Sequence, residues 1–149
     1  MKFLMFTLIL CLPALTAFAQ IKTPVSWSFT AKKIDAKTYE VHLTASIEKD
    51  WHIYSQTTPD GGPIPTSITF TKNPLLTLEG DAKEVGKLEK HNEPLFGVDV
   101  KQFSNKVDFV QIVKLKAPVK TSVSVAVEFM VCNDKQCLPP TTKKFSIAL

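Results

Sequence analysis

The sequence has 149 residues, with 18 Lys and Arg against 14 Asp and Glu and a formal charge of +4 at neutral pH. All 18 basic residues are lysines, and bidentate reading of phosphate or guanine favours the arginine fork, so nucleic acid is excluded as the expected partner. The lysines are scattered among acidic residues rather than gathered in a block, the pattern of a solvated surface.

The chain opens MKFLMFTLILCLPALTAFAQ, with one charge at Lys2, an apolar run from Phe3 to Leu12, a breaker at Pro13, and Ala17 and Ala19 flanking Phe18. This is the pattern of a secretory signal with an A-x-A cleavage site. The apolar run is well short of the roughly 20 residues that span a bilayer. Cleavage is expected between Ala19 and Gln20, so residues 1–19 leave as a signal peptide and take Cys11 with them. Residues 20–149 are then a single domain, periplasmic or secreted, with no stable membrane insertion after cleavage. Only Cys132 and Cys137 remain, and in an oxidising compartment a disulfide between them is the default expectation.

From Val25 onward the apolar residues recur every second position, as in Tyr39, Val41, Leu43, Ala45 and Ile47, the signature of a strand with one buried face. A second such run is Val123, Val125, Val127, Phe129 and Val131, and shorter β-rich stretches lie at 25–34, 51–54, 67–71, 107–115 and 142–147. Turn chemistry separates them: Asp35-Ala36-Lys37, Glu48-Lys49-Asp50, Asp60-Gly61-Gly62-Pro63, Lys72-Asn73-Pro74, Glu79-Gly80-Asp81, Ser104-Asn105-Lys106 and Ala117-Pro118. Residues 58–65 read as one long loop, and no long amphipathic helix is evident. Seven or more short strands with this punctuation predict an all-β, immunoglobulin-like β-sandwich, with a closed barrel as the fallback.

The chemistry-bearing stretch is VCNDKQCLPP, from Val131 to Pro140. If the strand ending at Cys132 and the strand after Pro140 are antiparallel neighbours, the two cysteines flank a four-residue loop at a separation a disulfide accepts. A ring of six residues is a weak staple, worth about 2 kcal/mol in the chain-entropy model. By parity Cys132 faces away from Val127, Phe129 and Val131, which predicts an accessible bridge open to exchange. On the residues alone a purely structural hairpin disulfide stands slightly ahead of redox exchange. Metal binding is disfavoured, because His42, His52 and His91 are scattered and no second cysteine pair accompanies them. His42 reads as a surface residue of its strand, and Trp51-His52-Ile53-Tyr54 as strand and core edge. In His91-Asn92-Glu93-Pro94-Leu95-Phe96-Gly97, burial tendency favours Leu95 and Phe96 tucked into the core.

These residues resemble the N-terminal periplasmic domain of the thiol:disulfide interchange protein DsbD. The resemblance rests on EFMVCNDKQCLPPTTKKFSI, supported by WHIYSQ at 51–56 and EPLFG at 93–97, and runs over essentially all of residues 20–149. It implies an immunoglobulin-like sandwich without a cofactor of its own, acting as a protein-disulfide reductase or redox relay. Cys132 and Cys137 are then the redox pair, with Cys137 forming the mixed disulfide. Leu95 and Phe96 become a cap loop over the sulfurs, and Glu93 an acid that assists proton movement. The implied partners are thioredoxin-fold periplasmic proteins, with a place in cytochrome c maturation, and a separate membrane protein as electron donor, since no membrane carrier follows the sandwich here. The alternative is a secreted immunoglobulin-like binding or chaperone-like domain with a structural bridge.

Overall fold

The computed structural model describes residues 23–149; the expected signal segment, Cys11 and the Ala19/Gln20 junction lie outside them. Eleven strands form in chain order: β1 Val25–Lys33, β2 Thr38–Ile47, β3 His52–Tyr54, β4 Ser67–Phe70, β5 Leu76–Gly86, β6 Glu89–Glu93, β7 Val98–Ser104, β8 Lys106–Leu115, β9 Ser122–Phe129, β10 Val131–Cys132 and β11 Thr141–Ala148. They make three antiparallel sheets of order β1-β2-β8-β5, β10-β3-β7-β6 and β11-β9-β4. Among the described residues no sheet closes on itself, so the sandwich stands and the barrel does not.

The alternating runs decide which face is buried. Val41, Leu43, Ala45 and Ile47 of β2 share one face with Val107, Phe109 and Val113 of β8, and this face meets Val123, Val125, Val127 and Phe129 of β9. Trp27 crosses between the layers, its ring packed against both Phe109 and Phe129. The second layer is completed by Ile53, Phe103 and Val131 from the sheet of β3, β7 and β10. Burial at these positions is what stabilises the sandwich, at roughly 25 cal/mol for each Å² of apolar surface removed from water.

Turns fall largely where the polar clusters place them. Asp35 Oδ1 accepts from the backbone N–H groups of Lys37 and Thr38, both at 2.8 Å, and so closes the β1–β2 hairpin. Asp50 and Asn105 take left-handed conformations at φ 67° and 64°, which Asn and Asp tolerate better than other side chains.

Two expectations are corrected. Glu79-Gly80-Asp81 is a bulge inside β5, where the register to β8 shifts between Glu79 and Lys83. Gly80 supplies the positive φ of 63°, and the buried Gln111 side chain donates to the carbonyls of Glu79 and Gly80 in the gap. The run from Val123 to Val131 is two strands, because it breaks at Met130: β9 pairs with β4 and β11, whereas Val131 and Cys132 pair with β3 in another sheet. The chain thus changes sheets one residue before the cysteine hairpin.

Ile53 is fully buried on the core face, opposite Val131 and Phe103 in the register. Ile53→Ala should lower the free energy of unfolding in urea by about 2–5 kcal/mol; a loss below about 1 kcal/mol would place Ile53 outside the core.

Candidate functional site

The hairpin after β10 is set by one side chain. Asn133 Oδ1 accepts from the backbone N–H groups of Lys135 and Gln136, both at 2.9 Å, while the Asn133 N–H donates to the Gln136 carbonyl. The Leu138 N–H closes the neck on the Val131 carbonyl. Cys132 and Cys137 are thereby opposed in an antiparallel bridge, with Cα atoms 4.1 Å apart, and are joined by a disulfide.

Alternation along the short strand separates the two faces. Val131 lies opposite Ile53 and points into the main core, while Cys132 lies opposite His52 and points to the other face. There it packs with Tyr54 and Val100, and Val98, Met130 and Cys137 close around them. Cys132 thus faces away from the main core, as alternation predicts, but it is enclosed rather than accessible. Cys132 is 0% exposed, and Cys137 is the partly exposed residue of the pair.

Two loops meet beside Val98 at the margin of this cluster. The loop after β3 is tied down by the Ser55 N–H to the Lys101 carbonyl at 2.9 Å and by Thr66 Oγ1 to the Tyr54 carbonyl. Its Gly62 lies so close that a methyl group there would stand 2.6 Å from Val98 Cγ2. The β6–β7 turn is closed by the Phe96 and Gly97 N–H groups on the Glu93 carbonyl, with Gly97 at φ 67°. Leu95 and Phe96 at its tip are 47% and 39% exposed. They are not core residues, because this turn projects from the sheet rather than into the sandwich. Phe96 Cβ would lie 3.9 Å from a methyl group at position 62, so the two loops meet.

Glu93 is 1% exposed, and its carboxyl reaches across β7 to β3. The Tyr54 hydroxyl donates to Oε2 at 2.7 Å, and His52 Nε2 is 3.1 Å from Oε2 and 3.0 Å from the Tyr54 hydroxyl. Oε1 is buried without a hydrogen-bond partner. Burial, reinforced by the hydrogen bond to and charge of Glu93, pushes the Tyr54 phenol far above its ordinary value, so it stays protonated. Burial pushes the His52 imidazole below its ordinary value, against the opposing pull of Glu93 and Asp134. Sequence reading missed His52 and Tyr54 as site residues, since their partner lies 41 and 39 positions away. Their only signal was two polar-capable side chains two apart on a strand, facing away from Ile53.

The other two histidines are not members of this hydrogen-bonded triangle. His42 is on the outer face of β2, with Nδ1 2.7 Å from Asp108 Oδ2. His91 is exposed on β6, and Asp134 and Lys135 are exposed in the hairpin loop.

Residues 19–149 match the family model described as thiol:disulfide interchange protein DsbD, N-terminal. The chain belongs to that family. Its cysteine pair is thus set in the fold of a thiol–disulfide interchange domain. The N-terminal periplasmic domain of ScsB from Proteus mirabilis is similar in structure, with a TM-score of 0.57 at 14% identity over 86% of this chain. The present chain spans 47% of that one. The DsbD N-terminal domain from Neisseria meningitidis in the reduced form gives a TM-score of 0.51 at 15% identity, covering 76% of this chain and 85% of that one. A complex of the DsbD and PilB N-terminal domains from Neisseria meningitidis gives 0.51 at 11%, covering 82% and 80%. At these identities the similarity is one of fold, and it bears out the immunoglobulin-like sandwich. No curated protein sequence matches significantly.

The lowered His52 pKa has a consequence for stability. In the unfolded chain this imidazole takes its proton near pH 6.5, whereas in the folded protein it does so only at lower pH. Between those values the unfolded state binds more protons, so stability falls as pH drops below about 6.5. Urea unfolding at pH 5 to 8 should show a smaller loss on the acid side for His52→Gln than for the wild type; equal slopes would show that His52 titrates alike in both states.

Proposed function

We propose that the protein is an exported thiol–disulfide exchange module that passes reducing equivalents to or from thioredoxin-fold partners through Cys132 and Cys137. The observation that carries this reading is the asymmetry of the pair: Cys132 is sealed beneath Tyr54 and Val100, and Cys137 is partly exposed. A weak six-residue staple needs no such arrangement, whereas directed exchange does, because which sulfur is attacked depends on access.

The chemistry follows from that asymmetry. A partner dithiol, as its thiolate, attacks Cys137 Sγ and forms a mixed disulfide. The Cys132–Cys137 bond breaks, its electron pair stays on Cys132 Sγ, and that buried thiolate takes up one proton, since an apolar surrounding disfavours its charge. The partner's second thiol then loses its proton and attacks its own sulfur in the mixed disulfide. Cys137 leaves with the second electron pair and is protonated. The partner ends as a disulfide and this chain as a dithiol, two electrons having moved; the reverse sequence hands them on.

Glu93 serves as the acid that exchanges a proton with the Cys132 sulfur, from a carboxyl already held at the face Cys132 occupies. Leu95 and Phe96 serve as the cap that a partner displaces. Their exposure supports this, since an apolar loop tip not absorbed by the core is suited to contact another protein. The described PilB complex of the Neisseria DsbD domain concerns a relative, and it supports a protein partner for this domain type. The electron donor would be a separate membrane protein and the compartment the periplasm.

The burial of Cys132 also suits a purely structural bridge, and single-cysteine variants separate the two readings. In Cys132→Ser the remaining Cys137 thiol should form a trapped mixed disulfide with an oxidised thioredoxin-fold protein. Cys137→Ser, with only the buried sulfur left, should do so at least about tenfold more slowly. Equal trapping by both variants, or by neither, would contradict the directed-exchange reading.

A further inference from the structure

The His52–Tyr54–Glu93 triangle contains more than a proton-bearing acid needs. One carboxyl oxygen, Oε2, takes both contacts, at 2.7 Å from Tyr54 and 3.1 Å from His52. The other, Oε1, is buried with no hydrogen-bond partner. A buried acceptor left open is costly, about 1–3 kcal/mol, and calls for an explanation. The open oxygen belongs to the carboxyl that meets β3 at the tips of His52 and Tyr54. Cys132 lies on that same face, opposite His52 in the strand register and packed against Tyr54.

Of the two partners of Glu93, only His52 is an imidazole that can gain a charge near neutral pH. Tyr54 is locked in its protonated form. An imidazole can both donate from Nε2 and take up a second proton at Nδ1. We propose that His52 is a positioning residue of the exchange reaction: with Tyr54 it holds Glu93 by Oε2 and shares a proton with it, leaving Oε1 to serve the Cys132 sulfur. In the disulfide form Cys132 has no proton to offer, and Oε1 stands open. In the dithiol form its S–H is a new donor on the same face, and Oε1 is the acceptor that lacks a partner. Reduction is thereby coupled to the protonation of His52. This inference rests on the exchange reading above.

The surroundings of His52 set the direction of that coupling. Tyr54 faces it from its own strand, Glu93 and His91 from β6, Cys132 from β10 and Asp134 from the hairpin loop. Its β7 neighbour, Ser104, is neutral and bonded to Glu89 Oε2. Glu93 and Asp134 favour the imidazolium, while burial and His91 oppose it. Lowering the pH fills the triangle with one more proton, available when the Cys132 thiolate leaves.

The test is reduction of the full chain by dithiothreitol, with the rate divided by the concentration of dithiothreitol thiolate at each pH from 5 to 8. The wild-type normalised rate should rise toward acid pH by about tenfold, a fraction of what general acid catalysis commonly contributes. His52→Gln keeps an N–H donor but cannot take a second proton, and it should lose the rise toward acid pH. His52→Phe lacks both and should be slower throughout. Superposable profiles for the wild type and His52→Gln would overturn the proposal. Should a variant fail to fold, the imidazole C–H resonances of wild-type His52 provide the check: their titration should differ between the disulfide and dithiol forms, and identical titrations would overturn it. A wild-type disulfide that dithiothreitol leaves intact at every pH would instead sink the exchange reading itself.

Discussion

The pairing of two residues, Val131 and Cys132, with Ile53 and His52 is the constraint on which the site depends. Because side chains alternate across a strand, this short ladder sends Val131 into the core with Ile53 and turns Cys132 to the opposite face with His52. A slip of one residue would place the sulfur in the sandwich core and Val131 among polar groups, so the buried face fixes the register. The break at Met130 makes this possible. It releases the chain from β9 and lets the hairpin join the sheet of β3, β7 and β6, whose outer face carries Glu93.

From that placement follow both the burial of one cysteine and the partial exposure of the other. Cys132 is enclosed by Tyr54, Val100, Val98 and Met130, while the Asn133 turn carries Cys137 back toward solvent. The two loops beside Val98 depend on local backbone requirements, at Gly97 for its positive φ and at Gly62 for its close approach to Val98. The pair is chemically unequal although it is symmetric in sequence. The six-residue ring stabilises the fold only weakly, about 2 kcal/mol, so breaking the bond need not threaten the sandwich that holds it.

Where one face of a strand is buried and the other wet, the sequence shows it plainly. β1, β2, β4, β8 and β11 lie within a residue or two of the runs that alternation predicts. β5, β6 and β7 were not legible. β5 is largely exposed and bulged at Gly80, β6 is mostly charged and polar, and neither presents a period-two pattern. The same gap hid the site. Glu93 entered through resemblance alone, and its partnership with His52 and Tyr54 depends on β6 and β7 folding beside β3, a long-range arrangement no local pattern encodes. Leu95 and Phe96 misled for a related reason: apolar character suggests burial, but the turn that bears them ends a hairpin projecting away from the core.

The central claim is that this disulfide exists to be opened. Its equilibrium reduction potential, measured against dithiothreitol or glutathione buffers, tests that most directly. The expected value lies above about −300 mV, the level below which structural bridges of secreted proteins typically fall. A value well below that level would show a bond built to persist, and would contradict the account.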